Sequence, residues 1–238
     1  MKKAKMFMVL ALMSLVATSV QAQDDEMPLK TFRVGLFGGV NISNITVDID
    51  HTSRVGYNVG LMAEFNPLKF LYVNAQASIV QRGVVFKKFS QIQYTSGSKA
   101  GQHPDIEATP CYFMFAPHVG LRAFVNKRGK KPLSIYGEFG PYYAIGFTGS
   151  FKDKNREADT KWKYFKESRE VIDEHIETNK NDFGLTGEVG VEIGNVCKVG
   201  LRYDHGLTKA FKVDDGWTAP KFEDAKNRSY SLQIAVLL

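Results

Sequence analysis

Cysteine is almost missing from this chain: Cys111 and Cys197 are the only two in 238 residues. No disulfide framework therefore holds the fold. The strand order derived below sets the two at opposite rims, beyond the roughly 7 Å that bridged alpha carbons need, and two free thiols are expected. Past residue 22 there is no run of about 18 apolar residues, which excludes a membrane-spanning helix. No basic block with interleaved aromatics occurs, which excludes nucleic acid as a partner. The formal charge is +6, and without Lys2, Lys3 and Lys5 it is +3. Asp173, Glu174, His175 and Glu177 are crowded together, but their spacing is not that of a strong metal site. No metal and no cofactor is expected.

What is present begins with an export signal. Lys2, Lys3 and Lys5 precede the apolar run Met6–Ala17, and Val20-Gln21-Ala22 places small side chains before a cut. Residues 1–22 are read as a cleavable signal peptide, leaving 216 of the 238 residues, a length that suits one all-β domain. No cysteine lies at the cut to carry a lipid.

Beyond the leader, apolar residues recur at every second position in eight stretches: 32–43, 54–66, 70–86, 109–125, 133–149, 182–194, 197–211 and 228–238. In the second, Val55, Tyr57, Val59, Leu61, Ala63 and Phe65 share one face, while Arg54, Gly56, Asn58, Gly60, Met62 and Glu64 share the other. The connections alternate between short and long. Strands greasy outside and polar inside, even in number, with alternating loop lengths, describe an eight-stranded antiparallel up-and-down transmembrane β-barrel. The short turns mark the periplasmic side. Residues 23–31 then form a short periplasmic tail and 32–238 the barrel domain, in a bacterial outer membrane.

Register follows from charge. A tight turn centred on Asn195 sets Glu192 opposite Lys198 and Glu188 opposite Arg202, with Val191 against Val199 and Val189 against Leu201 outside. A slip of one residue would turn every charge toward lipid. The inward set includes Arg33, Arg54, Glu64, Arg82, His118, Arg122, Glu138, Glu188, Glu192, Lys198, Arg202 and Asp204. The interior of eight strands is just wide enough for side chains to fill, so these groups are expected to neutralise one another as a packed ion-pair plug. The outward set carries no charge. Phe32, Phe65, Phe70 and Phe124 are expected in the lower aromatic girdle, and Phe86, Phe147, Phe151 and Phe211 in the upper one.

The segments Arg33-Val-Gly-Leu-Phe-Gly-Gly-Val-Asn41-Ile-Ser43, Val59-Gly-Leu-Met-Ala-Glu64 and Val119-Gly-Leu-Arg122 resemble strands of the small outer-membrane barrels of Bacteroidota, often labelled porin-family or PorT-like. The resemblance covers nearly the whole mature chain and rests on glycine and alternation. It implies the same fold and location, contact with outer-membrane lipid and lipopolysaccharide, and handling by the barrel-insertion machinery. The final alternation Tyr230, Leu232, Ile234, Val236, Leu238 is similar to the strand that this machinery recognises, with Leu238 in place of the usual terminal aromatic. PorT's link to type IX secretion extends, through the resemblance alone, to a secretion-accessory role.

The connection 150–181 is the least conventional segment. Two alternatives stay open for it: a solvated loop, or a short helix over 163–178 with Lys166–Glu170 and Arg169–Asp173 at helical spacing and Phe165, Ile172 and Ile176 as a thin apolar stripe. Trp162, Tyr164 and Phe165 are the candidate loop contacts for a protein partner, a polysaccharide or a lipopolysaccharide phosphate. His205 is the candidate for lipid-modifying chemistry, but no well-placed serine accompanies it. Three readings follow: a non-enzymatic barrel, structural or partner-binding through its outer loops; a narrow porin for ions or very small solutes; and, most remote, a lipid-A-modifying enzyme.

Overall fold

The computed structural model describes residues 30–47, 49–87, 105–126, 132–153, 161–167, 171–172, 175–214 and 224–238. The expected signal peptide, 1–22, and most of the expected tail, 23–31, lie outside the described residues. The strands are β1 (Phe32–Ile45), β2 (His51–Phe65), β3 (Leu71–Gln81), β4 (Val84–Phe86), β5 (Ile106–Asn126), β6 (Leu133–Asp153), β7 (Lys161–Lys163), β8 (Ile176–Thr178), β9 (Asn181–Ile193), β10 (Cys197–Gly206), β11 (Phe211–Val213) and β12 (Asn227–Leu237).

Eight walls close into a ring, every pairing antiparallel. The order is β1, β2, the β3/β4 wall, β5, β6, β9, β10 and β12, and β12 returns to β1 from Gly35↔Leu237 to Ile45↔Asn227. Closure leaves no unpaired edge, which a backbone in hydrocarbon requires. The alternation read from the sequence sorts the side chains. Leu36, Leu61, Val119, Leu121, Val189 and Leu201 face out, each at least 55% exposed, while Arg33, Glu64, Arg122, Glu192 and Lys198 are buried within. An apolar surface of this extent is a lipid-facing one. The inward face of β12 carries no charge at all: Asn227, Ser229, Ser231, Gln233, Ala235 and Leu237 are its buried residues.

The β9–β10 register is the expected one, with Lys198↔Glu192, Arg202↔Glu188, Val199↔Val191 and Leu201↔Val189. The turn between them is closed by Val196 N donating to Ile193 O at 3.3 Å. Gly194 and Asn195 both adopt positive φ, 65° and 56°, the left-handed pair that matches the right-handed twist of the flanking strands. This turn and the Asn66–Phe70 connection lie at one end of the barrel, the short-turn end. Cys197 lies near that end and Cys111, opposite Gln81 and Thr148, toward the other. Both thiols are free.

Three expectations are corrected. First, the strand expected at 70–86 is interrupted at Arg82-Gly83. Its register with β5 is continuous, from Gln81↔Cys111 to Val84↔Ala108. Its register with β2 slips by one residue between Asn58↔Val80 and Ser53↔Val84. The extra residue is on β2, so this is a β-bulge, and Gly83 N is met there by Ser43 Oγ at 2.8 Å.

Second, Phe147 is an extra residue between the pairs Tyr112↔Gly146 and Cys111↔Thr148. Beyond this bulge the inward parity of β6 changes, so Phe151 and Asp153 are buried. Phe151 therefore leaves the expected upper girdle for the interior, where Phe86 and Phe211 are also found, each 1% exposed or less. Phe147 stays outside with Tyr143, Phe113 and Phe183.

Third, among the described residues 163–178 is not one continuous helix: Lys163 ends strand β7, 164–166 is a turn, only Val171 is helical, and 176–178 is strand β8. β7 extends the β6 edge, with Phe151↔Trp162, and β8 pairs with β11, with Phe211↔Thr178. The Lys166–Glu170 and Arg169–Asp173 pairs involve positions outside the described residues. Phe165, Ile172 and Ile176 are apolar for a different reason: all are buried, in one cluster with Tyr112, Phe151, Tyr164 and Phe211. The long-loop end of the barrel is thus closed by an apolar cap.

Candidate functional site

The lumen is built in layers, each from inward positions of several walls. Near the short-turn end, Glu64 of β2 is the hub. It accepts from Arg33 of β1, from Arg122 Nη2 of β5 at 2.7 Å and from Lys198 of β10. Glu192 of β9 is held by Arg33 and by Arg122 Nε at 2.9 Å. Arg122 also donates to Asn66 at 3.0 Å. The Tyr72 ring lies under Arg122 and Lys198, 4.7 and 4.4 Å from its centroid. Cation–ring contacts of this kind gain strength where water is excluded.

One layer up, Glu138 accepts from Tyr72 Oη at 2.9 Å, Asn74 at 3.0 Å and Gln76 at 3.1 Å. His118 Nδ1 stands 3.7 Å from it. Tyr136 donates to Glu188. Above these, Arg202 spans Gln76 and Asp204, 2.7 Å from each. Arg82, at the interruption of the β3/β4 wall, reaches Asp182 and Asp204, with Tyr142 Oη donating to Asp182 at 3.0 Å. Arg54 is set apart at the long-loop rim, paired with Glu107, both about one-fifth exposed.

Neither expected β9–β10 ion pair forms: Lys198 pairs across the lumen, and Arg202 pairs within its own strand. Lys198 stands opposite Glu192 in register but bonds to Glu64, and Arg202 stands opposite Glu188 but bonds to Asp204 and Gln76. Inward side chains converge on the axis of so narrow a bore, so Lys198 meets Glu64 there, while Arg33 still pairs with Glu64, its register partner on the neighbouring strand. Asp182 and the inward tyrosines Tyr72, Tyr136 and Tyr142 belong to the network and were not among the expected site residues. Their even-numbered positions on β9, β3 and β6 carry the same parity signal.

The candidate anchors of the 150–181 connection differ in burial. Tyr164 and Phe165 are 3% and 7% exposed. The Tyr164 ring packs on Phe151 at 4.7 Å and edge-on to Phe165 at 4.9 Å, and Phe165 meets Tyr112 at 5.8 Å. Burial pushes the Tyr164 phenol above its ordinary range. Thr178 Oγ1 donates to the Tyr164 carbonyl at 2.6 Å and ties β8 to the turn. Trp162 is half-buried against the same cluster. The bulge at Phe147 draws this segment inward by turning Phe151 into the mouth. His205 faces outward beside Tyr203, Nδ1 to Oη 3.3 Å. Among the described residues no group of three metal-ligating side chains occurs.

The family model described as "Outer membrane protein beta-barrel domain" matches residues 21–212. The chain belongs to the outer membrane protein beta-barrel domain family. As a member of that family it resides in the bacterial outer membrane, and the lipid-facing wall described above suits it to that solvent. No curated protein sequence matches it. Solved structures similar to this family member include Ail, the attachment invasion locus protein of Yersinia pestis, at 13% identity over 88% of this chain and 100% of that one, with a TM-score of 0.41. Neisserial surface protein A is similar at 10% identity over 87% and 97%, TM-score 0.40. OprG of Pseudomonas aeruginosa is similar at 14% identity over 87% and 95%, TM-score 0.38.

Proposed function

We propose that this barrel is a closed, non-enzymatic envelope protein that works through what it presents outside the membrane rather than through what it passes. One observation carries the reading: the bore is filled in depth. Ionic layers occupy it from Arg33 to Arg82, and the apolar cluster of Tyr164, Phe165, Ile172, Ile176 and Phe211 seals the long-loop mouth. By the rule that periplasmic turns are short and outer loops long, the sealed mouth faces outward. Among the described residues His118 has no hydroxyl hydrogen-bond partner, and His205 is met by Tyr203 rather than by a serine, which supports a role without catalysis. A structural or partner-binding role follows, with service to a PorT-like secretion apparatus as its most specific form. Planar-bilayer recording of the purified barrel tests this. No channel events are expected from protein that migrates as a folded barrel, and steady conductance would overturn the closed reading. Photo-crosslinking from half-buried Trp162 in intact cells tests the partner, and a discrete protein adduct is expected.

A second reading, a narrow porin, draws on polar atoms buried along the bore without a hydrogen-bond partner, among them Arg202 Nη2, Glu188 Oε2, Asn58 Oδ1 and Thr186 Oγ1. They are the groups an ion or a water file would touch. The same recording decides between the two.

A further inference from the structure

The outer wall, rather than the bore, carries an unassigned concavity. Gly137 on β6 and Gly187 on β9 both face lipid, set diagonally across the pair Gly137↔Val189 and Phe139↔Gly187. Missing side chains at these two positions open a groove of about 680 Å³, walled by Leu121, Phe139, Val189, Leu201, Tyr203 and Tyr230. Its exposed lining is almost wholly apolar. A Cβ built at Gly137 would meet nothing closer than 3.8 Å and one at Gly187 nothing closer than 3.5 Å, so the glycines here are not forced by close backbone contact. The space is simply left open.

Toward the long-loop end, the groove runs up to a stacked pair. Tyr203 and Tyr230 are directly opposite each other, ring centroids 4.8 Å apart. One outward position further, the character of the wall changes. Arg228, exposed, is flanked in register by His205 on β10 and Asn44 on β1. The outward residues of the last strand from Tyr230 to Leu238 cover about 20 Å of height at the usual rise and tilt, close to the whole apolar band of an outer-membrane barrel. Arg228 therefore lies just above the hydrocarbon, at headgroup depth. Among the described residues no carboxylate pairs with it, and nearby Asp224 is instead 3.9 Å from Lys209.

A guanidinium, an imidazole and an amide at headgroup depth, above an aromatic pair and an apolar groove, match one kind of molecule. We propose that this face is a seat for a single phosphorylated glycolipid of the outer leaflet, of the lipid A type. The phosphate would take the Arg228–His205–Asn44 trio, the sugar would lie over Tyr203 and Tyr230, and one acyl chain would fill the Gly137/Gly187 groove. The arginine fork suits phosphate geometry, and the open apolar groove beneath it would hold an acyl chain apart from the surrounding belt. The proposal is independent of whether the bore conducts.

Native mass spectrometry of the detergent-purified barrel, titrated with bis-phosphorylated lipid A, with its dephosphorylated form and with phosphatidylethanolamine, tests it. One lipid A adduct per barrel is expected. Arg228→Gln weakens it about tenfold, the size of one charge-assisted hydrogen bond, and leaves the dephosphorylated form unaffected. Gly137→Val fills the groove and weakens both forms. Both substitutions sit on the lipid-facing surface with room around them, and heat-modifiable electrophoretic migration checks that each variant is folded. Equal retention of phosphatidylethanolamine, or lipid A binding indifferent to Arg228→Gln, would overturn the proposal.

Discussion

Replacing Glu64 with glutamine tests the logic of the filled bore at its most connected point. Glu64 is fully buried and accepts from three cations, Arg33, Arg122 and Lys198. Among the described residues those cations reach two further carboxylates, Glu192 in the same layer and Glu138 in the next, so charge is balanced three against three. Glu64→Gln preserves shape but leaves one buried positive charge in excess, surrounded by hydrocarbon. Removing one partner of a buried ion pair costs about 3–5 kcal/mol, and that range is expected here for unfolding by urea from lipid vesicles. Glu107→Gln is the control. It breaks the Arg54 pair at the rim, where both side chains are about one-fifth exposed, and should cost no more than about 1 kcal/mol. Adding Lys198→Met to Glu64→Gln restores the balance with two cations against two anions. The double variant should therefore be more stable than the sum of the singles by about 0.5–3 kcal/mol. If Glu64→Gln unfolds within 1 kcal/mol of the parent, or if the pair is strictly additive, the buried charges are independent of one another and the plug is not a network.

Two further substitutions probe packing. Phe165→Ala removes a ring that touches Tyr112 and Tyr164, a cavity change worth about 3–5 kcal/mol where fully expressed. In a Trp217→Phe background its expected signature is a red shift of Trp162 emission with the strand content unchanged by circular dichroism, because the cap loosens and the wall does not. An unshifted spectrum would mean that the cap holds without this ring. Gly120→Ala drives a methyl into the Tyr72 ring, which is fixed by Glu138, Arg122 and Lys198, and should destabilise by about 1–3 kcal/mol. Gly137→Ala, with open space around it, should be neutral in the same urea titration, and equal effects at the two glycines would contradict the inside–outside assignment.

The faces of the wall were legible from a period of two, because a strand has only two faces and lipid tolerates charge on neither the outer side nor in the wrong register. Val191↔Val199 and Glu192↔Lys198 follow from that alone. Partner choice did not follow. Lys198 reaches Glu64, 134 residues away, and nothing local to β9 and β10 encodes the diameter across which it reaches. Parity also fails wherever a bulge intervenes: a single extra residue at Phe147 converts Phe151 from girdle to core. The cap was illegible for a related reason. Tyr164 and Phe165 lie between lysines in a segment rich in both charges, which reads as solvated until the mouth it covers is known. Asp182 was overlooked at a strand end, although its parity is that of Glu188 and Glu192.

The charge-free inner face of β12 bears on biogenesis. Arg33, Glu64, Arg122, Glu138, Glu188, Glu192, Lys198 and Arg202 all reside on the other walls, so the segment that zips the seam to β1 carries one outward side-chain charge, Arg228 at its long-loop end, and none on its inner face. Ser231→Asp would add one, and should slow assembly into vesicles while leaving earlier strand pairing intact, and unchanged kinetics would count against this view. The polypeptide thus reserves its least costly edge for the last step, when the cylinder shuts.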